Sequence, residues 1–231
     1  MAISGDGNTA VIGAPEDDTG SIEDHGAVYV FTRSGTSWSI QGKLTASSLQ
    51  DYEYFGGAVA ISNDGNTIVV GVMGRDIFTS TRPGTAYVFT RSGTTWTQQQ
   101  KLSPTDGADN ANFGSAVAIH SETNTLVVGA PGEWNDGERQ GALYVFGWSG
   151  GTWTQQQKVT ASDVIAGDRF GSTVAINANG DTILAGAMLL DHLGEAAAAA
   201  AVRAAVDRVF VAGAVRTPDL GGTATTAEFT R

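Results

Sequence analysis

Along residues 1–187, branched apolar residues alternate with small ones in short runs, and the runs come in pairs. Val59 and Ile61, then Ile68 and Val70, keep the two-residue period of a pleated strand. Between the two runs lies Asn63-Asp64-Gly65-Asn66, where Asp-Gly suits the positive φ angles of a primed hairpin turn. The pair recurs. Val117 and Ile119 lead on to Leu126 and Val128, and Val174 and Ile176 lead on to Ile183 and Leu184. The chain opens within another such pair, Ala2-Ile3-Ser4-Gly5-Asp6-Gly7-Asn8-Thr9-Ala10-Val11-Ile12.

Landmarks return at a fixed step. Gly13, Gly71, Gly129 and Gly186 are 58, 58 and 57 residues apart, and Tyr29, Tyr87 and Tyr144 keep register, as do Trp38, Trp96 and Trp153. A unit of this length with four strand-like runs predicts a propeller or an array. In unit two the predicted strands are A at Val59–Ser62, B at Thr67–Gly71, C at Thr85–Arg91 and D at Trp96–Leu102, with a turn at Ser92-Gly93-Thr94. The expected fold is all-β, a partial β-propeller of about three and a half four-stranded antiparallel blades, followed by a C-terminal α-helix. Unit boundaries fall at 1–45, 46–103, 104–160 and a truncated 161–187. An open arc of this kind leaves blade edges uncovered, which predicts self-association.

Phe55-Gly56, Phe113-Gly114 and Phe170-Gly171 open units two to four, and Gly-Ala-Pro follows strand B at Gly13 and Gly129. Together these motifs resemble the FG-GAP repeat, the blade of integrin α-subunit propellers and of many bacterial surface proteins. The resemblance covers residues 1–187. It implies a non-catalytic binding or adhesion module at the cell surface or outside the cell. Gly71-Val72-Met73 and Gly186-Ala187-Met188 lack the proline. The integrin type also places a calcium-binding Asp-x-Asp-x-Asp-Gly between strands A and B. Here each such turn has one acidic residue: Asp6, Asp64, Glu122 or Asp181.

The composition changes after Ala187. Glu195 precedes six alanines, Ala196–Ala201, and Val202, Val206, Val209 and Phe210 follow at helical spacing. Strong helix formers, an acidic start and Gly213 at the end predict a helix over Glu195–Ala212, with a shorter one at Met188–Leu193 and a loose C-terminus. Met188-Leu189-Leu190-Asp191-His192-Leu193-Gly194 and Arg216-Thr217-Pro218-Asp219-Leu220-Gly221-Gly222-Thr223 are similar to the C-terminal end of isopropylmalate and isocitrate-type dehydrogenases. An alternative function follows: a fragment or fusion carrying that end, inactive as it stands. The arginine cluster, aspartate set and cofactor loop of those enzymes have no match in the sequence.

The chain has 231 residues, no cysteine and a formal net charge of −11. Without cysteine there is no disulfide, thiol catalysis or thiolate metal site. The histidines His25, His120 and His192 share no metal-ligand spacing, and no Gly-x-Ser-x-Gly elbow occurs. The reading is therefore not an enzyme.

Charge is distributed by loop. The B–C connections 14–25, 72–83 and 130–140 and the D–A connections 46–54, 104–112 and 161–169 are long and varied, whereas the A–B and C–D turns are short and repetitive. In a four-stranded blade the two sets lie on opposite faces. The long connections carry as much net charge as the whole chain, −11. Such a field attracts cations and basic partners and repels nucleic acid; no apolar run suits membrane insertion. The expected partner is a protein or carbohydrate on this acidic face, with Trp134, Asp136, Glu138, Arg75 and Asp76 as ligand-binding candidates. The expected cofactor, if the loops hold one, is Ca2+ on Glu16, Asp17, Asp18, Glu23 and Asp24, whose oxygens would converge from both ends of one loop. Trp38, Trp96 and Trp153 recur at one place and read as blade-to-blade packing.

Overall fold

A computed structural model describes residues 1–18, 24–46, 53–72, 83–135, 137–161, 167–177, 180 and 183–186. The helix expected at Glu195–Ala212, the shorter one at Met188–Leu193 and the junction after Ala187 lie outside the described residues.

Three four-stranded antiparallel sheets and the first half of a fourth follow one another. Unit one is β1 (Ala2–Ile3), β2 (Thr9–Ala14), β3 (Ala27–Ser34) and β4 (Ser37–Leu44). Unit two is β5 (Ala58–Ile61), β6 (Thr67–Val72), β7 (Thr85–Ser92) and β8 (Thr95–Leu102). Unit three is β9 (Ala116–His120), β10 (Thr125–Ala130), β13 (Ala142–Ser149) and β14 (Thr152–Val159), with a small hairpin, β11 (Trp134–Asn135) and β12 (Glu138–Arg139), set between its second and third strands. Unit four contributes β15 (Thr173–Ile176) and β16 (Ile183–Gly186). Strands run in meander order within each sheet. The A strands β5, β9 and β15 lie close together, whereas the D strands β4, β8 and β14 scarcely touch. The sheets thus radiate from their A edges, as propeller blades do.

Alternation divides each strand between two neighbours. In β6, Ile68, Val70 and Val72 face unit one with Val11, Val28 and Val30, while Val69 faces unit three with Leu126 and Val128. Phe55 is fully buried and meets Tyr87 and Phe89 edge-on at 5.8 and 6.0 Å; Phe113 does the same with Tyr144 and Phe146. The Phe-Gly landmark is therefore the wedge between blades. A parallel bridge from the glycine before strand C to the next unit's phenylalanine, Gly26 to Phe55, Gly84 to Phe113 and Gly141 to Phe170, fixes each junction.

The A–B turns differ from the primed type that Asp-Gly predicts. Gly65 N–H bonds to the Ser62 carbonyl at 2.9 Å, and in this turn only Gly65 has positive φ, at 70°. One left-handed residue at the end of the turn is the geometry of a type I turn closed by a bulge. The side chains explain the choice. Asp64 accepts from Ser62 Oγ, Asn66 N–H and Asn66 Nδ2, and Asp6 is held in the same way by Ser4 and Asn8. These bonds, the Ser4 hydroxyl first, lower the Asp6 carboxyl to about 2. In unit three the left-handed residue is Asn124, at φ 51° and one position later in register than Gly65, a conformation its short polar side chain tolerates.

A bulge recurs on strand D. Val30 pairs with Gly42 but Phe31 with Ile40, so Gln41 stands outside the ladder. Its Oε1 accepts the indole N–H of Trp96 at 2.8 Å, joining units one and two. Trp153 is 6% exposed, and its backbone bonds to the Gln100 side chain of unit two. Both tryptophans pack between blades. Trp148 leans on Trp153 with ring centroids 5.5 Å apart.

Candidate functional site

The long connections carry the candidate residues. Their geometry follows from one device that appears in units one and three. Four residues beyond the strand-B glycine, an acidic residue begins the B–C loop: Asp17 after Gly13, Glu133 after Gly129. Its N–H bonds to the last carbonyl of strand B, Ala14 or Ala130, at 3.1 Å. Its own carbonyl accepts the N–H of the glycine before strand C, Gly26 at 2.9 Å or Gly141 at 3.0 Å. The backbone therefore closes the loop on itself.

The side chain of that residue turns to the blade. Asp17 accepts the Tyr29 hydroxyl at 2.6 Å and the Lys43 ammonium. Tyr29 and Lys43 are register partners on strands C and D, and the ammonium lies 5.5 Å from the ring centroid. The Lys43 bond first, then the Tyr29 bond, hold the Asp17 carboxyl below its usual range. In unit three Glu133 is 1% exposed and accepts Lys158 Nζ at 3.0 Å. The Ala108 N–H reaches both Glu133 oxygens at 3.2 Å, which ties the D–A connection to the same point. Asp106 lies 3.9 Å from Lys158 and accepts Gln155 Nε2 at 3.0 Å. Burial first, then the nearby Glu133 and Asp106 carboxylates, push the Tyr144 phenol well above its usual range.

This clasp changes the electrostatic picture. Lys43 and Lys158 sit on the acidic face, bound to its carboxylates, so its field is weaker than the loop charges alone imply. The clasp left a trace in the sequence, since Tyr29 and Lys43, Tyr87 and Lys101, and Tyr144 and Lys158 share one spacing. Glu133 was legible only as one charge among many.

A pH dependence follows. The Asp17 carboxyl is lowered in the folded chain, so its contribution is complete above the unfolded value near 3.9 and is lost as pH falls through the folded value. Asp17→Asn is expected to remove about 1 kcal/mol at neutral pH, a low figure because Lys43 is 38% exposed. Urea midpoints from neutral to acid pH should then converge between wild type and variant. A constant gap across that range would show that Asp17 acts through shape alone.

The five proposed cation ligands do not all meet. Glu16 and Asp18 are exposed, Asp18 Oδ1 accepts the Asp24 N–H at 3.0 Å, and Tyr54 donates to Asp24 Oδ2 at 3.3 Å. Glu23 lies outside the described residues. Among the described residues, no three acidic or histidine side chains gather where a metal ion could sit.

The ligand-binding candidates fare differently. Arg75, Asp76 and Asp136 lie outside the described residues. Trp134 and Glu138 stand on β11 and β12, where Trp134 pairs with Arg139 and Asn135 with Glu138. Trp134 is 45% exposed, and the Arg139 guanidinium carbon is 5.5 Å from its ring centroid. This hairpin was not foreseen; Asn135-Asp136-Gly137-Glu138 was its signal, and Gly137 has φ 83°.

Comparison with known proteins agrees with the wedges and the repeat. A profile of the FG-GAP repeat matches residues 1–31, 38–89, 96–146 and 153–202. The chain belongs to the FG-GAP repeat family. It is also similar, at 60% identity over 48 residues, to isocitrate/homoisocitrate dehydrogenases of two Thermus thermophilus strains. That match covers 21% of this chain and 14% of each dehydrogenase. Among solved structures, Sqt1 of Chaetomium thermophilum superposes with a TM-score of 0.48 at 15% identity, over 80% of this chain and 40% of that one. The periplasmic gluconolactonase PpgL of Pseudomonas aeruginosa gives 0.41 at 13% identity, over 80% and 64%. Among the described residues, no helix is long and apolar enough to cross a membrane.

Proposed function

We propose that this FG-GAP chain is a non-catalytic binding module, working at the cell surface or outside the cell, that offers its B–C loops to a protein or carbohydrate ligand. The observation that carries the reading is Trp134: nearly half exposed, yet held by a paired hairpin and an overlying arginine. A large aromatic kept rigid in solvent, beside arginine, has the make-up of a binding hot spot. The clasp at Glu133 supports it by anchoring the base of that loop.

The test is a screen of an oligosaccharide array and a panel of surface proteins with the full chain, followed by Trp134→Ala. Loss of about 2 kcal/mol of binding, roughly thirtyfold in Kd, is expected, with melting unchanged. Binding indifferent to Trp134→Ala, or turnover of a ligand, would overturn the reading.

Calcium on the 14–25 loop belongs to the same proposal. Lys43 already holds Asp17, so a cation would rely on Glu16, Asp18 and Asp24 or displace the lysine. Melting with calcium against sodium at matched ionic strength decides it: a shift specific to calcium supports a site, and equal shifts leave a solvated acidic loop. The dehydrogenase-like stretch supports a second reading, a fused enzyme fragment, for which saturable nicotinamide-cofactor binding is the test.

A further inference from the structure

Among the described residues, the arginine of the Trp134 hairpin has no ion-pair partner. Trp134 and Arg139 are register partners on β11 and β12, so both side chains stand on one face of the ribbon. Both are exposed, and Trp134 takes no part in the apolar packing between blades. Glu138 is exposed beside Arg139 in sequence, but alternation along the strand turns its carboxylate to the other face. Elsewhere on this side the cations are engaged: Lys43 and Lys158 are bound by Asp17 and Glu133. Arg139 is thus a cation left for something outside the chain.

It is also held in place. The Arg139 carbonyl accepts the Gly167 N–H at 2.8 Å, and the Gln140 and Gly141 N–H groups both bond to the Glu133 carbonyl, at 3.2 and 3.0 Å. The guanidinium carbon lies 5.5 Å from the indole centroid. A stacked guanidinium keeps its N–H edge free, and its planar fork, ordered beforehand, matches a carboxylate through two parallel bonds. Unit three packs against unit two on one side and unit four on the other, so this exposure is a property of the loop.

We propose that this face binds an acidic sugar, a uronate residue within a glycan, with the carboxylate in the Arg139 fork and the sugar's C–H face against the indole. The inference rests on the binding role proposed above for Trp134 and narrows its ligand. The indole is an open platform suited to the flat apolar face of a pyranose, and the cation beside it stands at a separation that one sugar ring spans. The surrounding loops are acidic, so an unbroken polyanion is repelled, whereas carboxylates spaced by neutral sugars meet that field least. A glutamate or aspartate side chain would bring the same charge on a flexible stem without the rigid face, at a larger ordering cost.

Calorimetric titration of the full chain with two probes tests the proposal. One is an oligosaccharide in which glucuronate alternates with a neutral sugar; the other is the same oligosaccharide with its carboxyls reduced to alcohols. The acidic probe should bind at least about tenfold more tightly, the scale of a charge-assisted contact, and this comparison needs no variant. Arg139→Gln should remove the preference while leaving melting and reduced-probe binding unchanged. Arg139→Lys, which keeps the charge without the fork, should restore only part of it. Trp134→Ala should weaken both probes. Equal binding of the two probes by wild type, binding of neither, or a preference that survives Arg139→Gln would overturn the proposal, and so would Arg139-dependent binding of a glutamate-rich peptide in place of the glycan. The binding role of Trp134 is judged separately: if Trp134→Ala weakens the reduced probe and Arg139→Gln changes nothing, that role stands and the acidic sugar alone is refuted.

Discussion

Gly71→Ala is expected to lower stability by about 3 kcal/mol or more, far beyond what an alanine in a strand ordinarily does. A Cβ on Gly71 would stand 2.0 Å from the Gly114 carbonyl oxygen of the next unit. That oxygen belongs to backbone, and the backbone is pinned on both sides: Gly114 N–H bonds to the Gly129 carbonyl at 3.0 Å, and Phe113 N–H bonds to the Pro83 carbonyl at 2.7 Å. No side chain can swing aside, so relief means parting the blades. Gly13 and Gly129 meet the next unit in the same way, with 1.9 Å to the Gly56 and Gly171 oxygens. Gly42→Ala is the control. It is also a strand glycine, but a Cβ there meets nothing within 4 Å, and alanine should leave stability unchanged or raise it by about 0.5–1 kcal/mol. Urea unfolding of the two variants measures the contrast. If Gly71→Ala were as stable as Gly42→Ala, the blades would not be packed at the distance described.

Those glycines show how far the sequence could be read. Gly13, Gly71 and Gly129 were visible as landmarks because they recur, and recurrence with alternation is enough for the strands and their order. Their reason was not visible, because it lies across the junction in a carbonyl some forty residues further along. The same holds at the loops. Asp17 and Glu133 read as surface charges, since charge is a property of the residue, whereas the partners that absorb it, Lys43 and Lys158, stand on another strand. Tyr and Lys keep one spacing on strands C and D, but spacing alone names neither their contact nor its third member. The Trp134 hairpin was the reverse case: its turn sequence was local and legible, and the length of the connection hid it. Burial residue by residue was not legible. Ile12 and Val70 look alike in sequence; only the neighbour differs.

Lys158→Met is expected to cost about 3 kcal/mol, more than Glu133→Gln, although each removes one partner of the same ion pair. The asymmetry comes from burial. Glu133 is 1% exposed, so without Lys158 its charge stays in the interior, with only the Ala108 N–H and the nearby Tyr144 hydroxyl to offset it. Lys158 is 20% exposed at its side chain and lies 3.9 Å from Asp106, so without Glu133 it keeps a second carboxylate and a route to water. Glutamine at 133 also retains an oxygen for the Ala108 N–H. A buried pair broken from its buried side is thus the milder lesion, roughly 1–2 kcal/mol, the scale of a lost charged hydrogen bond. The double variant should be less unstable than the sum of the two, because methionine opposite glutamine leaves no buried charge behind. Urea midpoints of the four proteins complete the cycle, and local exchange locates the effect: amide protection at Ala108 and Gly141 should fall in Lys158→Met and not at Gly26, which depends on the Asp17 clasp of another unit. Equal losses for the two single variants, with strict additivity, would mean that Glu133 is solvated after all and that the base of the Trp134 loop is held by its backbone alone.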